Sequence, residues 1–144
     1  MSDAHVPEEL RRRIRALAGD RCGYCLSPQH LVYGSLEIEH TIPRAKGGST
    51  AEENLYLACR LCNNFKGVQT EATDPSTGAV VPLFDPRRQS WFDHFSWSDD
   101  GTRILGRTAC GRATIVALKL NNVLATTVRR GWVLAGWHPP HNHE

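Results

Sequence analysis

Four of the five cysteines fall in two C-x-x-C pairs, Cys22/Cys25 and Cys59/Cys62, with Glu39 and His40 between the pairs and Asn63 directly after the second. Four thiolates at this spacing match a closed tetrahedral zinc site, in which the protein fills every position and the metal is structural. A redox reading needs one C-x-x-C beside a βαβ pattern, which is absent, and leaves the second pair unexplained. The intervening stretch 26–58 is longer than the about 15 to 20 residues of common paired knuckles, so something sizeable is inserted between the halves of the clip. Within that insert, the Glu39 carboxylate and the Asn63 amide oxygen are hard donors suited to magnesium, and a neutral His40 imidazole beside them can take a proton from water. Adjacent strand residues face opposite ways, so a bend at the strand end must turn Glu39 and His40 toward one cleft. Taken singly these are a strand end and a helix-start asparagine; beside a zinc clip they read as a site.

The elements that position these groups can be read around them. Residues 7–18 predict a helix, with proline at its start, Glu8 and Glu9 at its positive end, Leu10, Ile14 and Leu17 on one face, and Gly19 as its stop. Leu36–His40 alternates apolar and polar, Leu55–Ala58 is a second short strand, and a Gly47-Gly48-Ser49 loop joins them. A helix then runs from Cys59 or Arg60 to Gly67. Asp74-Pro75, Thr77-Gly78 and Asp85-Pro86 mark residues 69–90 as a connector. Beyond it, Trp91–Trp97 and Arg103–Leu105 flank an Asp-Gly turn and predict a hairpin. The segment 111–136 predicts helices broken at Asn121-Asn122, with Val123, Leu124 and Val128 among its apolar positions. The expected class is α+β: a strand–loop–strand–helix core with its zinc clip over 7–68, a connector over 69–90 and a hairpin-plus-helices subdomain over 91–137.

The motifs Cys22-x-x-Cys25, Leu36–Pro43, Gly47-Gly48, Asn54-Leu55 and Cys59-x-x-Cys62-Asn63-x-x-Lys66-Gly67 together resemble the HNH endonucleases and their ββα-metal fold. The resemblance covers roughly residues 10–68, and the ordered combination is far more specific than any single element. It implies that His40 is the general base, that Glu39 and Asn63 hold a catalytic Mg2+ or Mn2+, and that Asn54 steadies the loop orienting His40. It implies DNA as the substrate, with 5′-phosphate and 3′-hydroxyl products. The third letter of the family name is Asn63 here rather than histidine, which keeps an oxygen donor and favours magnesium or manganese over a softer catalytic metal. Pro82–Arg87, Trp91-x-x-His94-Phe95 and Gly111–Thr114 are also similar to regions beside such cores.

Arg44, Lys46, Arg60 and Lys66 lie close in sequence to the proposed site and are the expected phosphate contacts. Arg11 to Arg13, Arg87, Arg88, Arg103 and further arginines would widen that footprint. A net charge of +2 and a pI near 8.4 permit a nucleic-acid partner without requiring one. No membrane span or secretion signal is legible, which predicts a cytoplasmic protein, either monomer or homodimer. Cys110 reads as a small buried hydrophobe, the four tryptophans as core, and His138, His141 and His143 as a flexible Pro-rich end. The competing function is a zinc-stabilised DNA-binding module without catalysis, which has no need of Glu39, His40 and Asn63 together.

Overall fold

Pro7 precedes helix α1 (Glu8–Leu17) in extended conformation, and the helix ends where Gly19 takes a left-handed φ of 63°. The computed structural model describes residues 6–140; His141 and His143, read as part of a flexible end, lie outside them. The chain is α+β, with helices and short antiparallel hairpins. Its described residues divide into two units, one running to Thr70 and including Asp85–Gln89, the other comprising Glu71–Phe84 and Ser90 onward.

In the first unit β1 (Glu37–His40) pairs antiparallel with β2 (Leu55–Ala58), with Glu39 opposite Tyr56 and His40 opposite Leu55. Ile14 of α1 packs on Leu36, Ile38, Leu55 and Leu57, forming an apolar core behind the hairpin. Leu10 joins that core, whereas Leu17, assigned to the same face, is exposed. All four residues of β2 are buried. Its other side carries Tyr56, whose ring meets Tyr24 edge-on at 5.4 Å. Helix α2 (Arg60–Lys66) follows, its first turn capped by Cys59 Sγ, which accepts from the Cys62 N–H.

Residues 69–90 are not the plain connector expected from their turn formers. Within them β3 (Glu71–Thr73) and β4 (Val80–Pro82) pair as a hairpin of the second unit. Residues Asp85–Gln89 serve the first unit: Pro86 lies so close to Gly23 that a Cβ there would come within 2.6 Å of it. Arg87 reaches the Glu52 carboxylate at 3.3 Å. Turn-rich composition reports local bending and is silent on long-range pairing.

In the second unit α3 (Trp91–His94) replaces the first half of the expected strand, and β5 (Phe95–Trp97) pairs with β6 (Ile104–Gly106). Helices α4 (Ala109–Ala117) and α5 (Val123–Leu134) follow, separated at Asn122, whose side chain caps α5. Phe84 meets Phe95 edge-on at 5.1 Å, and the Trp91 ring lies tilted against Phe95 and Trp97 at 5.1 and 5.2 Å. The Gly111–Thr114 motif is structural. A Cβ on Gly111 would strike the His94 carbonyl at 2.1 Å, and Thr114 Oγ1 accepts the Phe84 N–H at 2.9 Å. Arg112 grips the buried Asp74 through two bonds of 2.9 Å.

Four expectations for this unit are corrected. Val123, Leu124 and Val128 of α5 are exposed, while its buried residue is Arg129, which donates to the Thr102 and Leu120 carbonyls. His138 is buried, with its ring against Trp97 and Trp132. Trp137 is exposed and Cys110 only half-buried. Apolar periodicity identifies a helix, but which stripe is covered depends on what packs against it.

The Asp74–Arg112 pair carries a prediction. The Arg112 guanidinium, with the Ser76 N–H and the Thr77 hydroxyl, holds the Asp74 carboxyl well below the usual carboxylate range. A depressed folded pKa stabilises the fold above the unfolded value of about 3.9 and loses that contribution as pH falls. Arg112→Ala should therefore lower the melting temperature at neutral pH, with the gap to the wild type closing in acid. Melting curves followed by tryptophan fluorescence across pH check this.

Candidate functional site

The two C-x-x-C pairs converge although a long insert separates them. Their four Sγ atoms lie within 4.8 Å of one another. Cys25 and Cys59 Sγ are 3.8 Å apart, matching the about 3.8 Å edge of a tetrahedron with metal–sulfur bonds of about 2.3 Å. The Cys25 N–H points at Cys22 Sγ and the Cys62 N–H at Cys59 Sγ, each at 3.5 Å. Burial pushes the Cys22 thiol well above its ordinary value, so gathering four thiolates here calls for a cation. The cluster could hold a structural zinc ion, which would clip α2 and β2 to the Cys22–Cys25 turn.

Beyond the clip, β1 presents its residues alternately: Ile38 and His40 are buried, Glu37 and Glu39 half-buried. Asn63, on the first turns of α2, donates through Nδ2 to Glu39 Oε2 at 2.8 Å and to Glu37 Oε1 at 2.7 Å. Glu39 and Asn63 therefore meet, bringing together residues far apart in sequence. Glu37 is a third member that motif reading passed over. Its signal was present, because residues two apart on a strand share a face.

His40 takes the other face of β1 and is 4% exposed. Its Nε2 lies 3.1 Å from Thr50 Oγ1. Its Nδ1 is buried without a hydrogen-bond partner among the described residues. Burial lowers the His40 pKa below the ordinary 6.5; the charge of Glu39 opposes that shift and that of Arg44 adds to it. The ring is accordingly neutral at neutral pH and able to accept a proton. It shares the field of Glu39 without touching Asn63.

The loop between β1 and β2 is held by Asn54. Its Oδ1 accepts the Ile42 N–H at 2.9 Å, and its Nδ2 donates to the Ile42 and Ser49 carbonyls at 3.1 and 2.7 Å. Its own carbonyl accepts the Thr41 N–H at 2.8 Å. Gly47 takes a left-handed φ of 87°, and a Cβ on Gly48 would lie 1.7 Å from the Ile42 carbonyl oxygen, so both glycines are required where the loop folds back. Glu52, just before Asn54, accepts from Arg13 and Arg87. Replacing Asn54 by alanine strands buried backbone groups and should cost about 1–3 kcal/mol, measurable by urea denaturation.

The four expected phosphate contacts separate. Arg44, Lys46 and Arg60 are exposed, and Arg60 stands 3.5 Å from Glu37 with its side chain 77% exposed. Lys66 is 2% exposed, so the sequence-based assignment fails there. Its Nζ donates to the Thr41 carbonyl at 3.3 Å and lies 5.8 Å from the Tyr56 ring centroid. Burial lowers its pKa, partly offset by Glu39. A lysine in the last turn of a helix is equally able to face solvent or fold under it.

Residues 22–69 match the family model described as HNH endonuclease. Over 48 residues, 33% of this chain, the sequence is 44% identical to the CRISPR-associated endonuclease Cas9 of Corynebacterium diphtheriae. The chain spans 4% of that relative's length. No solved structure matches. No helix among the described residues is long and apolar enough to cross a membrane.

Proposed function

We propose, from the match of residues 22–69 to the HNH endonuclease family model, that this chain hydrolyses phosphodiester bonds in DNA with the aid of a divalent metal ion. The observation that carries the reading is the hydrogen bond that joins Glu39 of β1 to Asn63 of α2, with a buried neutral His40 on the same strand end.

Glu39 and Asn63 would hold the catalytic ion through a carboxylate and an amide oxygen, a hard donor set that fits magnesium or manganese. Such an ion, when bound, supplies charge stabilisation to a phosphoryl group and a departing 3′ oxygen. Glu37 keeps an acceptor beside the Asn63 amide N–H and so orients it. His40 takes the proton from the attacking water as the new phosphorus–oxygen bond forms and the bond to the 3′ oxygen breaks; the departing 3′ oxygen takes a proton from solvent water, leaving 5′-phosphate and 3′-hydroxyl ends. Asn54 holds the loop that packs beside His40. Arg44, Lys46 and Arg60 contribute phosphate affinity from exposed positions.

Cleavage of supercoiled plasmid in magnesium, manganese or EDTA tests the reading. Metal-dependent nicking or linearisation supports it. Zinc-loaded protein that binds DNA and cuts under no metal is a binding module instead. The cation assignments have their own test. Lys46→Ala should reduce the slope of log affinity against log salt by about one, whereas buried Lys66→Met should leave that slope unchanged.

A further inference from the structure

Resting on the nuclease reading, we infer that Thr50 is a positioning residue that holds His40 in the Nε2-protonated tautomer, making Nδ1 the atom that accepts the proton from water. The two ring nitrogens of His40 have unequal surroundings. Nε2 lies 3.1 Å from the Thr50 hydroxyl, and Nδ1 is buried with no partner among the described residues. A neutral imidazole carries one N–H and one lone pair. A buried N–H without an acceptor is the rarer defect in folded proteins, so the proton belongs on Nε2 with Thr50 Oγ1 as acceptor. The unpaired lone pair then sits on Nδ1, the condition of a base awaiting its substrate. Nδ1 is closed to solvent in the free protein, so the water must be admitted as the substrate binds; catalytic hydrogen bonds commonly form only then.

Thr50 is suited to this task by its support. It lies between Ser49, whose carbonyl accepts from Asn54 Nδ2 at 2.7 Å, and the Glu52–Asn54 turn. Glu52 is in turn gripped by Arg13 and Arg87. Strand β1 supplies His40 and the pinned loop supplies its partner, so the ring is fixed from two directions. The sequence placed nothing at Thr50, ten residues from His40 and outside every motif.

The test compares wild type, Thr50→Val, Thr50→Ser and His40→Ala in the zinc-loaded full chain. Two-dimensional ring 15N–1H spectra at neutral pH report the tautomer, with His40 assigned by the signals missing in His40→Ala. The expected wild-type His40 pattern is Nε2–H. Thr50→Val should give a mixed or inverted pattern with kcat for plasmid cleavage down about tenfold at unchanged KM, the scale of one lost hydrogen bond. Thr50→Ser should restore both. Wild-type kcat and an intact Nε2–H pattern in Thr50→Val would overturn the inference, as would an Nδ1–H wild-type ring. If the wild type cuts nothing, the nuclease reading fails and the spectra still decide the tautomer.

Discussion

His40→Ala should bind DNA and zinc as the wild type does and lose cleavage by about a hundred- to ten-thousandfold, the range that a positioned general base contributes. The variant separates binding from chemistry because, among the described residues, His40 makes a single side-chain hydrogen bond, to Thr50, while Glu39, which meets Asn63, alternates with it on β1. Its loss leaves a cavity beside Leu55 without uncoupling the strands, so folding should persist. Plasmid cleavage and gel-shift affinity, measured on protein of verified zinc content, check both halves. Equal cleavage by the two proteins would remove His40 from the mechanism. The wild-type pH profile supplies a second readout. A base with its pKa pushed below 6.5 by burial works fully at neutral pH and loses activity as pH falls through that lowered value. The acid limb should therefore lie below the ordinary histidine value of 6.5.

Withdrawing metal from the cysteine cluster, or Cys25→Ser, should unfold the first unit, with a loss on the order of 10 kcal/mol at neutral pH. That unit has a small core of Val6, Ile14, Leu36, Ile38, Leu55 and Leu57, and a metal ion on the four cysteines would join α2 to the turn at Cys22–Cys25. The chain offers a clean assay. All three tyrosines, Tyr24, Tyr33 and Tyr56, lie in the first unit and all four tryptophans in the second. Chelation should abolish tyrosine near-ultraviolet ellipticity while the tryptophan emission of the second unit, with its own aromatic stack and the Asp74–Arg112 pair, stays native. Zinc added back should restore the tyrosine signal. Retention of that signal in metal-free protein would show that the cysteines are not a structural metal site.

Much of the site was legible because its signals are local. Two C-x-x-C pairs name their own partners, since few arrangements satisfy four buried thiols. Period-two alternation over residues 37–40 gives β1 and its two faces, and the cap and stop residues bound α1 and α2 closely. The order strand, glycine loop, strand, helix then follows, and with it the meeting of Glu39 with Asn63. Glu37 lies inside the Leu36–Pro43 motif and was within reach of the same alternation argument, but the motif gives it no role.

The tertiary structure decided what depends on partners distant in sequence. Lys66 and Arg60 are both basic residues of α2, yet one is buried over Tyr56 and the other exposed beside Glu37; burial of a charge depends on whether an acceptor waits beneath it. Arg87 turned out to brace Glu52, and Arg112 to hold Asp74, because guanidinium groups pair with whatever carboxylate the fold delivers. The hairpin of β3 and β4 was hidden by turn residues that bend the chain without saying what the flanks will pair with. His138 exchanged a flexible tail for a place between two indoles. Residue types and spacing determined which chemistry this chain can hold, because donor atoms and strand period are intrinsic to the residues. Which nitrogen of His40 faces Thr50, and which cations remain exposed, came only from folding, because both depend on contacts across loops that no local pattern encodes.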